Sequence, residues 1–86
     1  MKIDQNKKFE EIEASNILKP AVVILLNAGI PSAALDARCL LAHVLGREDP
    51  VLPHEVVTFW DVDLSDQFNG LLQRRLMGEP VSRIRG

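Results

Sequence analysis

The single cysteine and the two histidines are the side chains that could act as a nucleophile, a base or metal ligands. Cys39 and His43 are four residues apart, so a helix would place them on one face, as two ligands of a metal ion. Such a site is incomplete, because zinc sites use three or four protein ligands. Cys39 lies among leucine and alanine residues, which favours a packed thiol, and His54 lies in a polar stretch, which favours a solvated imidazole. The sequence therefore predicts no catalytic residue, no cofactor-binding residue and no metal site within these 86 residues.

Tryptophan and arginine are enriched at the centres of protein interfaces, which makes them the candidates for partner binding. Trp60 follows a phenylalanine and precedes an acidic turn, so its ring could close one end of the core or contact a partner. Four of the six arginines lie in the last thirteen residues. They suit the C-terminal end of a helix and a solvated face, or a basic patch for an acidic or RNA-bound partner. The candidate partner-binding residues are Trp60, Arg74, Arg75, Arg83 and Arg85.

The composition is that of one small folded domain. The chain has 86 residues, of which 47% are hydrophobic and 26% charged, and a formal net charge of -2. A net negative charge does not suit a protein held on nucleic acid by counterion release. One cysteine forms no internal disulfide, and the longest apolar stretch, Ala21 to Leu26, is far shorter than the roughly 20 residues that span a bilayer. We therefore expect a cytoplasmic protein that neither inserts into membranes nor binds nucleic acid directly.

Helices are the elements expected to position these residues, and the predicted fold is all-α. Apolar residues at spacings of three and four predict helix one after Asn16, and Gly29 suits its C-terminal end. Pro20 would then lie in the first turn, where its missing amide donor has no helical partner to lose. Ser32 and Gly46 bound the second predicted helix in the same way.

The second half of the chain predicts two more helices and a short extended end. Asp49 suits the N-cap of a third helix that runs to Phe59, although its last four residues also suit a strand. Ser65 is expected to cap a fourth helix that ends at Gly78. Residues 81–86 are β-like, but a lone strand would leave its backbone groups unpaired, so the sequence looks cut at a domain boundary.

Two stretches of the sequence resemble the signatures of one protein family. The first comprises Ala28-Gly29-Ile30, Leu35-Asp36-Ala37 and Leu40-Leu41-Ala42-His43-Val44-Leu45-Gly46. The second comprises Arg74-Arg75 and Gly78-Glu79-Pro80-Val81, with Ile84 and Gly86 in register. In this order and separation the two stretches resemble the amino-terminal domain of the HemK/PrmC family of protein methyltransferases, over most of the chain.

The resemblance implies a small bundle of four or five helices, ending in a short extended segment that leads to an absent methyltransferase domain. We therefore expect a flexible or partly helical lead-in at residues 1–15, the helical bundle at residues 16–78, and the start of an interdomain hairpin or linker at residues 79–86. Enzymes of this family transfer a methyl group from S-adenosylmethionine to the glutamine of the Gly-Gly-Gln motif in class I peptide chain release factors. Their catalytic Asn-Pro-Pro-Tyr motif and glycine-rich cofactor loop belong to the second domain and do not occur in these 86 residues.

Two hypotheses for function follow. In the first, the chain recognises and positions a class I release factor for its own C-terminal methyltransferase domain, and the 86 residues alone are neither catalytic nor bound to S-adenosylmethionine. In the alternative, it is an autonomous helical interaction domain such as a helix-turn-helix DNA binder, since a short turn after Gly46 would join helices two and three. The acidic composition and the lack of a row of Asn, Gln or Arg on helix three count against base reading.

Overall fold

The computed structural model describes residues 10–86. Its elements, in chain order, are β1 (Glu10–Glu13), α1 (Ala14–Asn27), α2 (Ala33–Val44), β2 (Val56–Trp60), α3 (Val62–Leu76) and α4 (Val81–Arg85). The prediction of a small, mostly helical bundle is confirmed, with a two-stranded sheet in addition. Of the predicted lead-in at residues 1–15, residues 1–9 lie outside the described part, and residues 10–13 form a strand.

Helix α2 lies at the centre of the fold, because it contacts α1, α3 and α4. Leu40 and Leu41 of this helix are fully buried, as is Leu25 of α1. Phe68 and Leu72 of α3 complete the contact from the other side and are also buried. The apolar stripes predicted for helices one, two and four therefore meet around α2, and burial of their surface from water is the main source of stability.

Three predicted helix ends are confirmed, because Gly29, Gly46 and Gly78 follow α1, α2 and α3 with positive φ angles of 84°, 77° and 101°. Such left-handed backbone strains residues that carry a Cβ, which explains glycine at these helix ends. The amide of Ile30 donates to the carbonyl of Leu25 at 3.1 Å, the longer-range hydrogen bond of a Schellman motif. The same hydrogen-bond pattern ends α2 and α3. The turns that separate the helices are thus fixed by local sequence.

Helix α1 begins at Ala14, before the predicted cap at Asn16. The amide of Ala14 donates to the carbonyl of Glu55 at 2.7 Å, so the loop before β2 caps this helix in place of a side chain. In consequence Pro20 lies inside the helix, and the prediction that it lies in the first turn is wrong. Because proline has no amide donor, the carbonyl four residues earlier lacks its helical partner.

The prediction of a third helix is wrong, because Val56–Trp60 form a strand. A strand was the alternative that the sequence allowed for most of these residues. Strands β1 and β2 are antiparallel, and Ile12 faces Val57 across the pair. Branched and aromatic side chains favour extended backbone, and β1 supplies the hydrogen-bonding partner that a strand needs. The recognition helix of a helix-turn-helix would have to lie at this position. The structure therefore removes the basis of the DNA-binding alternative.

Helix α3 begins earlier than predicted, because its N-cap is Asp61 and not Ser65. The Oδ1 atom of Asp61 accepts a hydrogen bond from the amide of Leu64 at 2.8 Å. A carboxylate at this position satisfies one of the free amide groups of the first turn and is stabilised by the helix dipole. The cap also ends β2 immediately after Trp60.

The end of the chain also differs from the prediction, since Val81–Arg85 form helix α4 where an extended segment was expected. The amide of Ile84 donates to the carbonyl of Pro80 at 3.0 Å, and the side chain of Ile84 is buried. The helical turn pairs some of its own backbone groups, since the amides of Arg83 and Ile84 both donate to the carbonyl of Pro80, whereas a lone strand would need a partner for all of them. Helix α4 packs on α2 and α3.

Candidate partner-binding surface

Trp60 is a core residue at the end of β2, with 9% of its surface exposed. Its ring meets the ring of Phe68 edge to face, with the centroids 6.3 Å apart and the planes at 73°. This is a favourable geometry for an aromatic pair and ties the sheet to α3. Trp60 also lines a cleft between α1 and α3. The structure thus gives the ring a packing role, and its contact with a partner stays a prediction.

Arg75 joins α3 to α2 through a mostly buried ion pair. Its Nε donates to Oδ2 of Asp36 at 2.9 Å, and the two side chains are 21% and 11% exposed. The hydroxyl of Ser32 donates to the same oxygen at 3.0 Å. Because the charge of Asp36 is paired and its Oδ2 accepts two hydrogen bonds, both ions are tolerated at the helix interface. Arg75 is directed to the interior of the fold.

Arg74, the adjacent residue, makes an exposed pair with Glu79 in the turn before α4. Its Nε and Nη2 donate to the two carboxylate oxygens of Glu79 at 2.8 and 2.7 Å. These bonds lower the pKa of Glu79 below its ordinary value, and the charges of Arg74 and Arg83 add to the effect. The pair connects the last turn of α3 to the segment that leads into α4.

Arg85 fixes α4 against the C-terminal end of α2. Its Nη1 donates to the carbonyl of Cys39 at 3.2 Å. Its Nη2 donates to the carbonyls of Arg47 and Glu48 at 2.9 and 3.1 Å. These bonds satisfy carbonyl groups in and just beyond the last turns of α2, where a positive charge is also favoured by the helix dipole.

Arg83 is exposed on α4, and it is the one of these four arginines whose side chain makes no hydrogen bond within residues 10–86. The other three bind different parts of the fold: Arg74 a turn, Arg75 the start of α2, and Arg85 the end of α2. The structure therefore gives these arginines different contacts within the fold, although Arg74 and Arg83 both lie near Glu79. Their role in partner binding stays a prediction.

A further ion pair, which the sequence pattern did not single out, fixes the loop between α2 and β2. Arg47 donates through Nη1 and Nη2 to the two carboxylate oxygens of Glu55 at 2.7 and 2.8 Å. The amide of Leu52 donates to the same carboxylate at 2.8 Å. The hydrogen bonds from Arg47, and then that from Leu52, lower the pKa of Glu55 from 4.5 to about 2.

An apolar groove of about 480 Å³ runs along the outer side of helices α1 and α2, and we call it the α1–α2 groove. The residues that line it include Leu18, Lys19, Val22, Val23, Ala34 and Arg38. Val23 is 55% exposed although it is apolar. The sequence carried a signal for this surface, because Val22 and Val23 fall outside the apolar stripe predicted for helix one. Two consecutive valines near Lys19, on the side of the helix away from its core stripe, indicate a second apolar face.

The described residues show no group suited to hold a metal ion. Within residues 10–86, no three His, Cys, Asp or Glu side chains lie together as metal ligands would. Cys39 is partly buried and His43 is exposed on α2. No helix in this part of the chain is long and apolar enough to cross a membrane.

Comparisons with known proteins give a consistent result. The profile of the family described as "PrmC N-terminal domain" matches residues 16–86. A protein from Aliivibrio fischeri named "Release factor glutamine methyltransferase" is 40% identical over 73 residues, which are 81% of this chain and 25% of the relative. The chain thus spans about a quarter of the length of this relative. No solved structure gives a significant match.

Proposed function

The chain belongs to the PrmC N-terminal domain family, and from this premise we propose that it is the substrate-recognition and positioning domain of a protein methyltransferase. The observation that carries the proposal is the match, over most of this chain, to a quarter of a release factor methyltransferase. The remaining three quarters of such a relative would supply the catalytic site.

The proposed substrate is a class I peptide chain release factor, and the proposed reaction is methylation of the side-chain amide nitrogen of the glutamine in its Gly-Gly-Gln motif. S-adenosylmethionine would be bound by the methyltransferase domain of the parent enzyme and not by this domain. The reaction needs accurate placement, because an amide nitrogen is a poor nucleophile and orientation toward the methyl group contributes much of the rate. Binding energy from a remote surface of the substrate is a suitable source of that orientation.

The disposition of charged residues supports a binding role for this domain. Arg75, Arg47 and Arg85 are committed to contacts within the fold. Cys39 and His43 lie one helical turn apart on α2, where Cys39 is partly buried and His43 is exposed, an arrangement that does not enclose a nucleophile and a base together. The α1–α2 groove, in contrast, leaves apolar surface open to solvent. A domain with satisfied ions and an open apolar surface suits docking of another protein.

The proposal names two partners, the release factor and the methyltransferase domain of the same polypeptide. Helix α4 is the element closest in sequence to that domain, and Arg85 holds it on α2. We place the enzyme in the cytoplasm, a reducing compartment that suits a chain with one cysteine and no disulfide.

A comparison of the parent enzyme with a form that lacks this domain tests the proposal. We expect the truncated enzyme to bind S-adenosylmethionine with unchanged affinity, which also checks that it is folded. We expect kcat/KM for methylation of the release factor to fall by about a hundredfold or more, because remote binding and orientation are lost. Equal kcat/KM for the two forms would contradict the proposal.

Calorimetry of the 86-residue chain with S-adenosylmethionine tests whether this domain binds the substrate but not the cofactor. We expect no heat of binding with the cofactor and measurable binding to the release factor. Tight cofactor binding by the chain alone would show that this domain contributes to the cofactor site, and it would overturn the proposed role.

A further inference from the structure

The α1–α2 groove exposes apolar side chains that a monomeric domain has no structural need to expose. Val23 is 55% exposed in the groove, and Leu26, one helical turn further along α1, is 53% exposed. On α2, Leu35 is 50% exposed next to Ala34, which lines the groove. Residues three apart on a helix share a face, so Val23 and Leu26 extend one surface. Contiguous apolar surface of this kind is typical of a binding site.

The charges at the groove have one sign. Lys19 and Arg38 line it, and no acidic residue within residues 10–86 does. The Nε of Arg38 donates to the carbonyl of Val51 at 3.0 Å, which holds the guanidinium at this position. The nearby carboxylate of Asp36 is bound to Arg75 on the other side of α2. The two cations are thus left to attract negative charge from outside the domain.

The shape of the groove selects the kind of partner. It lies between two packed helices, with the buried side chain of Leu18 and the partly buried side chain of Val22 among its lining residues. A groove of this type accepts the apolar face of an amphipathic helix. Two cations are few for a nucleic-acid surface, where affinity grows with the number of phosphates neutralised. The chain also has a net charge of -2, which opposes adsorption to anionic surfaces in general.

The position of the chain end favours a partner that is a separate molecule. Arg85 and Gly86 share a surface depression with His43 and Gly46, at the C-terminal end of α2. The groove instead includes Ala34, close to the N-terminal end of α2. His43 lies nine positions after Ala34 in the chain, which is about 14 Å along a helix. A chain that continues beyond Gly86 leaves from the other end of α2.

We propose that the α1–α2 groove docks an acidic, amphipathic helix of the protein substrate, with Val22 and Val23 against its apolar face and Lys19 and Arg38 against its carboxylates. This inference rests on the proposed function, because the substrate named there supplies the helix. It adds the surface of this domain that makes the contact and the chemistry that the surface recognises.

Two substitutions of exposed valines provide a matched test. Val23→Glu places an acid in the groove, and Val62→Glu places the same acid on α3, where Val62 is 68% exposed. Titration calorimetry would measure the dissociation constant of the protein substrate for the wild-type chain and for each variant, after circular dichroism has shown that each is folded. We expect Val23→Glu to weaken binding by about tenfold or more through loss of apolar contact and charge repulsion. Val62→Glu should leave the dissociation constant within about twofold, since it lies outside the groove.

A third variant separates charge from shape. Val23→Lys removes the same apolar contact but keeps the positive potential, so it should weaken binding less than Val23→Glu does. Equal loss for the two variants would overturn the acidic character of the docked helix. Equal binding by Val23→Glu and the wild type would overturn the groove as the docking site while the proposed function stands. Absence of binding by the wild-type chain would overturn the proposed function and the docking proposal together.

Two further measurements exclude other occupants of the groove. Sedimentation of the wild-type chain alone should show a monomer at the concentrations used for calorimetry. Self-association that Val23→Glu abolishes would overturn the proposal in favour of a second copy of this chain. Binding to vesicles that contain phosphatidylserine, lost in Val23→Glu, would overturn it in favour of a lipid surface.

Discussion

The two sides of helix α2 use charged residues in opposite ways. On the side that faces α3 and α4, the carboxylate of Asp36 binds Arg75, and Arg85 binds the carbonyls that follow the helix. On the side that carries the groove, Arg38 and Lys19 border exposed apolar residues. One side therefore satisfies its charges inside the fold, and the other leaves charge and apolar surface available.

The comparison shows that an arginine cannot be assigned to an interface from its residue type alone. Arg74 and Arg75 are adjacent in sequence, yet one pairs with a residue in an exposed turn and the other with a mostly buried residue of another helix. What decides the role of each arginine is the position of its carboxylate or carbonyl partner in the fold. The following predictions test whether the two sides of α2 differ as described, from the largest expected effect to the smallest.

The largest effect is expected from a substitution on the buried side of α2. Leu40 is fully buried, so Leu40→Ala should lower the free energy of unfolding by about 2–5 kcal/mol through lost apolar burial and a cavity. The control Leu35→Ala, on the same helix but 50% exposed, should change it by no more than about 0.5 kcal/mol. Urea unfolding followed by circular dichroism measures both. Similar losses for the two variants would show that the outer face of α2 is as packed as the inner face.

Arg75→Met should lower the free energy of unfolding by about 2 kcal/mol, because it leaves the mostly buried carboxylate of Asp36 without its charged partner. The matched variant Arg74→Met removes an exposed pair that solvent screens, so its effect on stability should be clearly smaller. Thermal and urea unfolding of the two variants provide the measurement. If Arg74→Met proved the more damaging of the two, the assignment of Arg75 to the interior would be wrong.

Arg85→Met should lower the free energy of unfolding by about 1 kcal/mol, because it removes the hydrogen bonds to three carbonyls at the end of α2. Amide hydrogen exchange should also become faster in α4, which this residue holds on α2. The control Arg83→Met removes a neighbouring cation that makes none of these bonds. Equal exchange rates in α4 for the two variants would contradict the role of Arg85.

The smallest effect is expected from the loop between α2 and β2, and it depends on pH. Folding lowers the pKa of Glu55 from 4.5 to about 2, so the folded state holds this proton less tightly than the unfolded state. The stabilisation by Glu55 is therefore complete above pH 4.5 and is lost as the pH falls toward about 2. Urea unfolding at a series of pH values measures it. In Glu55→Gln the decrease over this pH range should be smaller, and an unchanged decrease would assign it to other carboxylates.

The helix ends could be predicted from sequence because their determinants are local. Gly29 and Gly46 each adopt the left-handed conformation that a helix end requires, within one or two residues of the last helical turn. The strand β2 could not be predicted with the same success, because its partner β1 lies more than 40 residues earlier in the chain. The start of α1 depends likewise on a distant group, the carbonyl of Glu55.

The candidate site was less accessible to sequence reasoning than the fold. Asp36 and Arg75 are 39 residues apart, so no local pattern connects them. The family resemblance was confirmed by comparison, but it identifies the domain and not the surface that binds a partner. The partly buried Val22 and the exposed Val23 were visible in the sequence as apolar residues out of phase with the predicted core stripe. Recognising them as part of a groove required the position of α2 beside α1.

Chemical-shift mapping tests the central claim most directly. The ¹⁵N-labelled chain would be titrated with the class I release factor, and changes in each backbone amide signal would be recorded. The account predicts that the largest changes cluster at residues 18–23 of α1 and 34–38 of α2, with little change around Arg74 and Arg83. Changes concentrated on α3 and α4, with the α1–α2 groove unaffected, would contradict it.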